Sequence, residues 1–185
     1  MTEPLTLSRL AQLASAAGAS EIEPSADAML GFRIGREKLL DFLADLRDEP
    51  SLRFKLLLDV TGLDWSGEEP RFEVVYHLYS VDQGLRVRVK TRCPELDPHV
   101  PSATGLFPTA DFHERETFDM FGIVFDGHPD LRRILMPDEF EHHPLRKEYP
   151  LEGIEPEKCY LMKGGVMMPR PEGAGPIKGA GSATP

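Results

Sequence analysis

The sequence RFEVVYHLYSVDQGLRVRVKTRC, residues 71–93, contains two strand patterns separated by a short turn. In the first pattern, large apolar residues alternate from Phe72 to Leu78 and further apolar residues lie between them, so both faces of this strand are expected to be covered. In the second pattern, apolar residues alternate with basic ones, namely Arg86, Arg88, Lys90 and Arg92. Gly84 closes the intervening turn, as is typical of a hairpin. The stretch predicts an antiparallel hairpin with an inner first strand and a second strand that has one basic face.

Two interpretations of this basic face remain open. Basic side chains on a strand can simply be solvated, and at the edge of a sheet they prevent aggregation between strands. Alternatively, a row of basic side chains can bind the carboxylates of an acidic partner protein.

Helical and strand patterns flank the hairpin. Apolar residues at helical spacing predict three helices, over residues 5–17, 36–50 and 52–62. Alternating residues predict a strand over 30–34. A fourth helix is expected from 109 to 121, where Gly122 ends the pattern. The sequence therefore predicts an α+β fold, in which a mixed or antiparallel sheet with a hairpin packs against helices.

Length and charge bound the organisation of the chain and its partners. The chain has 185 residues, 41% of them hydrophobic, and a formal net charge of -10. A chain of this size supports one hydrophobic core, and we expect residues 1–150 to form a single α+β domain. Residues 151–185 are rich in Gly and Pro and are expected to form an extended tail that docks on partner proteins. The negative charge argues against a nucleic-acid partner, because phosphate backbones attract basic surfaces.

Cysteine content and hydropathy restrict cofactors and location. Cys93 and Cys159 are the only two cysteines, so this chain alone cannot assemble a cysteine-ligated zinc site or an iron–sulfur cluster. No apolar run is long enough to cross a bilayer, and the N-terminus lacks the basic and apolar regions of a secretory leader. We therefore expect an intracellular protein that reaches a membrane only through its partners.

Acids and arginines are interleaved with large apolar residues in HERETFDMFGIVFDGHPDLRRIL, residues 113–135. A helix over 109–121 has apolar residues on all sides, which is typical of a buried helix, and buried charges need partners. Arg115 and Asp119 lie one turn apart and are expected to pair. Glu114 and Glu116 are expected to pair with basic residues further along the chain, the candidates being Arg132, Arg133, Arg146 and Lys147.

Three kinds of site are compatible with so many charges. A zinc-protease HExxH motif begins at His113 but fails because residue 117 is threonine, and the other histidines of this region have no recognised metal-ligand spacing. An acid–base pair of Glu114 and Asp119 has no nucleophile motif or phosphate-binding loop beside it. A buried network of ion pairs is the interpretation that the residues favour.

Residues 113–151 closely resemble the signature of the C subunit of the proton-pumping NADH:quinone oxidoreductase, respiratory complex I. The resemblance rests on three ordered blocks, ERETFDMFGI at 114–123, FDGHPDLRRIL at 125–135 and PLRKEYP at 144–150. It extends more weakly over residues 27–151. Residues 139–143, EFEHH, depart from the family pattern, in which an aromatic-acid-glycine-aromatic run often precedes the third block.

This resemblance implies a structural subunit of the peripheral arm with no flavin, iron–sulfur cluster or metal of its own. FMN, iron–sulfur clusters and quinone would be held by partner subunits. The quinone-site subunit and the terminal-cluster subunit would be its neighbours, on the cytoplasmic side of the plasma membrane. The motif positions carry over as architectural and interface residues, none of them catalytic: Glu114, Arg115, Glu116, Asp119, His128, Arg132, Arg133, Arg146 and Lys147.

Two further hypotheses about function remain open. A related subunit of an energy-converting hydrogenase or of a ferredoxin-dependent complex has the same motif. A stand-alone metal-dependent hydrolase, using the His, Asp and Glu residues, belongs to a different class.

The third block is expected to be an extended strap, because Pro144 and Pro150 disfavour a helix there. Such a strap would present Arg146 and Lys147 to carboxylates. Those carboxylates could belong to the same domain or to a partner, and both alternatives remain open.

Overall fold

The computed structural model describes residues 3–22, 29–150, 160–163 and 166–169. The chain divides into two compact units, Met1–Tyr149 and Pro150–Pro185. The second unit contains a two-stranded antiparallel sheet of Tyr160–Lys163 and Val166–Pro169. The expected tail over 151–185 that docks on partners falls largely outside the described residues, and it stays a prediction.

The described part of the first unit contains three α-helices, seven β-strands and one 3-10 turn. In chain order these are α1 Glu3–Ala17, β1 Ser20–Ile22, β2 Leu30–Arg33, the 3-10 turn Arg36–Lys38, α2 Leu39–Asp48, β3 Leu56–Asp64, β4 Phe72–Ser80, β5 Leu85–Cys93, β6 His99–Pro101, α3 Ala110–Phe121 and β7 Val124–Asp126. Five strands form one mixed sheet in the order β1-β2-β5-β4-β3, and β6 pairs with β7 in parallel. The predicted α+β fold with a mixed sheet is confirmed.

The hairpin of residues 71–93 forms the centre of this sheet. β4 and β5 pair antiparallel, from Phe72 opposite Cys93 to Ser80 opposite Leu85. β4 lies between β3 and β5, and its core-facing residues are fully buried: Phe72, Val74, Tyr76 and Leu78. β5 also has a neighbour on each side, because β2 joins it in parallel. Both strands of the hairpin are therefore interior strands.

The predicted helix over 52–62 is wrong, because β3 occupies most of that segment. Along β3, buried and more exposed side chains alternate with a period near two, interrupted by a bulge between Leu57 and Asp59. The leucine run at 56–58 is compatible with a helix by composition alone. Its conformation is instead determined by antiparallel pairing with β4, the next strand along the chain.

The apolar face of the sheet and the first two helices contribute to one buried cluster. Phe32 of β2 meets Phe42 of α2 edge to face, with ring centroids 6.0 Å apart. Leu10 and Ala14 of α1 belong to the same cluster. Burial of such a layer stabilises a fold by roughly 25 cal/mol per Å² of apolar surface removed from water. This core holds β4 and β5 in a fixed position relative to the helices.

α3 covers the outer strand of the sheet, β3. The hydroxyl of Thr117 donates to the carbonyl of Val60 at 3.1 Å. The hydroxyl of Thr109, just before the helix, donates to the carbonyl of Leu57 at 3.2 Å. Carbonyl groups along an outer strand are otherwise open to pairing with another chain. α3 therefore protects this edge and is itself fixed to the sheet.

Within the described residues, no helix combines the length and the apolar character needed to cross a bilayer.

Candidate functional site

Asp119 lies at the centre of the charged segment. Its side chain is fully buried, and its Oδ2 accepts hydrogen bonds from three consecutive backbone amides, those of Ile134, Leu135 and Met136, at 3.1, 2.7 and 2.8 Å. Its Oδ1 accepts a hydrogen bond from Nη1 of Arg133 at 2.6 Å. One carboxylate thus fixes the course of the chain after β7.

These contacts keep Asp119 ionised. Burial acts to raise the pKa of its carboxyl group, but the amide hydrogen bonds and the Arg133 guanidinium outweigh burial, and the pKa lies below its ordinary value. Removing one partner of such a group leaves a buried charge without compensation, which is strongly destabilising. The arrangement is one that maintains structure.

The predicted pair between Arg115 and Asp119 is wrong, because Arg133 occupies that carboxylate. Arg115 instead donates to the carbonyl oxygens of Arg132 and Arg133, both at 3.2 Å. Its guanidinium also lies 5.8 Å from the ring centroid of Phe112. Arg115 and Asp119 therefore act on the same segment, one through its carbonyls and the other through its amides.

Glu114 is fully buried and makes no ion pair with any described residue. Its Oε1 accepts the amide of Ala103 and its Oε2 accepts the hydroxyl of Ser102, both at 2.7 Å. Burial raises the pKa of this carboxyl group, and the two hydrogen bonds oppose the rise without cancelling it. The predicted pairing of Glu114 with an arginine or lysine is wrong, because neutral donors in the loop before α3 satisfy it.

Glu116 lies on the exposed side of α3. It has no ion pair or hydrogen bond to its side chain from the described residues, so its predicted internal pairing is wrong as well. Phe112, one turn earlier, is 63% exposed, and Leu145 is 53% exposed. Leu145 and Glu116 both line a shallow groove between α3 and β3. We call Phe112, Glu116 and Leu145 the α3 surface.

His128 braces the loop after β7 against the start of α3. Its Nδ1 accepts the amide of Asp130 at 3.0 Å, so Nε2 carries the proton and donates to the carbonyl of Asp111 at 3.2 Å. Arg132 pairs with Asp130 at 2.8 Å, and both of these side chains are exposed. His128 is thus an internal contact, whereas Arg132 remains accessible to a partner.

Gly122 ends α3 in the left-handed conformation, with φ 72°, as the sequence predicted. A Cβ at this position would lie 2.5 Å from Nε2 of His143 and 2.6 Å from Nη2 of Arg146. Because Gly122 has no Cβ, Arg146 can lie this close, and its Nε donates a hydrogen bond to the carbonyl of Phe121 at 2.6 Å. The side chain of Lys147 is exposed. The strap therefore braces its own domain through Arg146, while Lys147 is available to a partner.

The sequence does not predict a second charged cluster, which surrounds Arg71. Arg71 donates to both oxygens of Asp64 at 2.8 Å, to Glu95 at 2.6 Å and also to Glu148. Hydrogen bonding to Arg71 lowers the pKa of Asp64, against the effect of burial, and the Lys147 amide adds a further hydrogen bond at 2.7 Å. The cluster joins the strap to the ends of β3 and β4. No local spacing connects these residues, so the sequence contained no signal for it.

The described residues do not form a metal-binding group. No three His, Cys, Asp or Glu side chains within the described ranges converge in a way that could hold a metal ion. An open cleft beside the 3-10 turn has charged walls, but Arg36 pairs with Asp97 at 2.6 Å and His99 with Asp126 at 2.8 Å. The charged side chains described above therefore serve mainly to hold backbone segments in place.

Comparison with known proteins matches these residues to a family. Residues 32–155 match the family model described as "Respiratory-chain NADH dehydrogenase, 30 Kd subunit". The C subunit of NADH-quinone oxidoreductase from Roseiflexus sp. (strain RS-1) is 56% identical over 119 residues, which is 64% of this chain and 68% of that protein. The corresponding protein of Saccharopolyspora erythraea is 51% identical over 127 residues, 68% of this chain and 51% of that protein. The chain therefore spans about half the length of the second relative.

Two solved structures resemble the fold. The trypsin-resistant fragment (1-134) of Nqo5 has a TM-score of 0.60 and 36% sequence identity, covering 68% of this chain and 99% of the fragment. A chain of the membrane-bound sulfane sulfur reductase, an archaeal respiratory membrane complex, has a TM-score of 0.65 and 31% identity, covering 78% of this chain and 85% of its own length. The similarity extends to both sequence and fold.

Proposed function

The chain belongs to the family of the 30 kDa subunit of respiratory-chain NADH dehydrogenase, and from this we propose that it is a structural subunit of the peripheral arm of a proton-translocating NADH:quinone oxidoreductase. FMN, iron–sulfur clusters and quinone are held by its neighbours, and this chain holds none. It is non-catalytic in isolation. It packs beside the quinone-site subunit and the terminal-cluster subunit, on the cytoplasmic side of the membrane.

The observation that carries the proposal is how the family signature uses its charges. Asp119, Arg133, Arg115 and Arg146 all bind backbone groups or one another, and together they hold the segment after β7 against α3. None of these four is left free to transfer a proton to a substrate. Electron transfer between cofactors requires fixed distances, and a rigid neighbour helps to maintain them.

The α3 surface supports a role in assembly. Phe112 and Leu145 are exposed apolar side chains. Glu116 follows Phe112 by one helical turn, lines the same groove as Leu145 and has no charge partner among the described residues. Apolar side chains beside a charge are typical of a protein interface, where the apolar groups become buried and the charge selects the partner. A neighbouring subunit with a basic side chain at this point would complete the site.

The test is recovery of the complex from cells that express the tagged chain, purified in mild detergent. Wild type should bring down subunits that hold iron–sulfur clusters and form the quinone site. Glu116→Ala and Arg115→Ala should lower the amount of assembled complex more than the turnover of each assembled complex. Asp45→Ala is the matched control, because it removes an exposed acid from another helix, α2.

Two results would contradict the proposal. Normal assembly with abolished turnover in Glu116→Ala would assign the residue to catalysis. Recovery of hydrogenase or ferredoxin-dependent subunits, in place of NADH-oxidising ones, would assign the chain to that related class of complex.

A further inference from the structure

The face of the main sheet that is turned away from the apolar core has a pronounced charge pattern. Its side chains lie in cross-strand rows, and each row has a basic residue on β5: Arg86 beside Tyr79, Arg88 beside His77, Lys90 beside Val75 and Arg92 beside Glu73. Arg33 of β2 lies beside Lys90. We call Arg33 and the four basic side chains of β5 the basic face.

Glu73 is the carboxylate that β4 places on this face, and it is fully buried. It accepts hydrogen bonds from Lys90 at 3.0 Å, from Arg33 at 3.2 Å and from Arg92 at 3.3 Å. Burial acts to raise the pKa of Glu73, but the three cations outweigh it and lower the pKa. Three cations are therefore fixed around one carboxylate. Among the described residues, Arg92 alone of the three has another acid, Glu68, at 2.9 Å.

Arg86 adds a cation that has no ion-pair partner among the described residues. It is exposed, and its guanidinium lies 5.7 Å from the ring centroid of Tyr79. The next residue across the sheet from Tyr79 is Leu56, which is also exposed. At the other end of the face, Arg92 lies 5.4 Å from the ring centroid of Trp65. Arginines that stack on rings keep the edge of the guanidinium free for carboxylates.

Protection of a sheet edge does not explain these charges. β4 pairs with β5 along its whole length, and β2 pairs with residues 87–90 on its other side, so the centre of β5 is not a free edge. The chain as a whole has a net charge of -10, so a positive region on it is distinct from the rest of its surface. The surface that complements such a region is acidic.

We propose that the basic face docks onto an acidic surface of a neighbouring protein, whose clustered Asp and Glu side chains meet Arg86 and Arg33. This inference rests on the proposed function, which supplies the multi-subunit setting. It adds a contact separate from the α3 surface and of opposite charge. The aromatic and apolar side chains of the face, Tyr79, Leu56 and Trp65, provide the area that becomes buried with the charges.

The first test uses the tagged full chain in the complex purified in mild detergent. Arg86→Glu reverses an exposed charge without removing a partner of Glu73. Lys38→Glu makes the same change of charge at the N-terminus of α2, where an acid suits the helix dipole. We expect Arg86→Glu to lower recovery of a neighbouring subunit roughly tenfold, because the introduced glutamate would face the carboxylates of the partner and like charges across an interface repel. Lys38→Glu should leave recovery unchanged.

A second measurement does not depend on how well a charge-reversed variant assembles. Arg86→Lys keeps the charge and places an amine on the basic face, and a carbodiimide then joins that amine directly to any carboxylate in contact with it. Links to Asp or Glu of a neighbouring polypeptide support the proposal. Links confined to this chain overturn it, as does equal recovery of complex with Arg86→Glu and Lys38→Glu.

A lipid surface is the competing occupant, and vesicles of phosphatidylglycerol test it. If the wild-type chain binds these vesicles and Arg86→Glu abolishes that binding, the basic face is assigned to anionic headgroups and the protein partner is overturned. Failure of the wild-type chain to recover any respiratory subunit would count against the proposed function itself. If the wild-type chain and Arg86→Glu recover the same amount of the neighbouring subunits, the result counts against the role of the basic face but not against the proposed function.

Discussion

Nη1 of Arg133 lies 2.6 Å from Oδ1 of the buried Asp119, and the amides of the three residues that follow Arg133 bind the other carboxylate oxygen. The segment that contains these amides has no regular secondary structure, so it lacks the backbone partners that a helix or strand would provide. The carboxylate supplies those partners. Asp119 thus does for an irregular segment what a neighbouring strand does in a sheet.

Asp119→Asn should destabilise the protein by about 3 to 5 kcal/mol, because it leaves Arg133 without a counter-charge at a buried site. Urea unfolding of the full chain measures the loss. Asp130→Asn is the control, since Asp130 pairs with Arg132 where both side chains are exposed, and it should change stability little. Equal unfolding midpoints for the two variants would contradict the central role of Asp119.

Glu114 predicts a pH dependence of the opposite sign to that of Asp119. Burial raises the folded-state pKa of Glu114, so its contribution to stability is fully present below about pH 4.3, the unfolded value, and is lost as pH rises through the folded value. The lowered pKa of Asp119 makes its contribution present above about pH 3.9 and lost only as pH falls further.

Glu114→Gln cannot ionise, so relative to wild type it should gain stability as pH rises from about 4 to about 7. Urea midpoints at a series of pH values give the difference between the two proteins. Asp119 does not affect the comparison, because its contribution to stability changes only at lower pH. A difference that stays constant across the series would show that folding does not change the pKa of Glu114, and it would contradict the prediction.

Gly122→Ala should destabilise the protein more than Gly84→Ala, although both glycines have positive φ, 72° and 65°. Each variant incurs the cost of a side chain in the left-handed region, about 1 to 2 kcal/mol. At Gly122 the new Cβ also meets His143 and Arg146, whereas at Gly84 nothing lies within 4 Å. The extra loss at Gly122, measured by thermal or urea unfolding, should be about 1 to 3 kcal/mol. Equal losses would mean that the strap yields without cost.

Deletion of residues 165–185 should leave the domain folded and weaken its association with neighbouring subunits. The deleted stretch contains VMMP, residues 166–169, which are the apolar residues best suited to anchor it to a partner. A shorter deletion, of 171–185, keeps VMMP and serves as the control. Circular dichroism reports folding, and recovery of the complex reports association. Unfolding of the longer deletion would assign the tail to the core.

The hairpin could be predicted from the sequence because each of its strands has its own alternation and the turn has its own glycine. β3 could not, because its conformation depends on β4 as a neighbour and its three leucines also match a helix. The three-residue strands β1, β6 and β7 are too short for an alternation to identify them. Local pattern therefore predicts an element only where the residues match one kind of secondary structure and are long enough to show its period.

In the candidate site, the sequence identified the charged residues but not the groups that they contact. The charged residues of the signature could be identified, but their partners were assigned by opposite charge and nearness in sequence. Glu114 and Asp119 take most of their hydrogen bonds from neutral groups, and backbone amides occur at almost every position, so they leave no trace in a sequence. Arg71 and Glu73 were not predicted, because most of their partners lie 17 to 77 positions away along the chain.

The parallel pairing of β2 with β5 sets an order of events during folding. β3, β4 and β5 follow one another along the chain and are joined by short connections, whereas Leu30 has to reach Val87, a separation of 87 − 30 = 57 positions. Closing a longer loop costs more entropy, and non-local pairing is slow. We expect the three-strand meander to form first and β2 to add to it afterwards. On the ribosome, β2 therefore emerges well before β5, and the parallel pairing of the two strands waits until synthesis has passed residue 93.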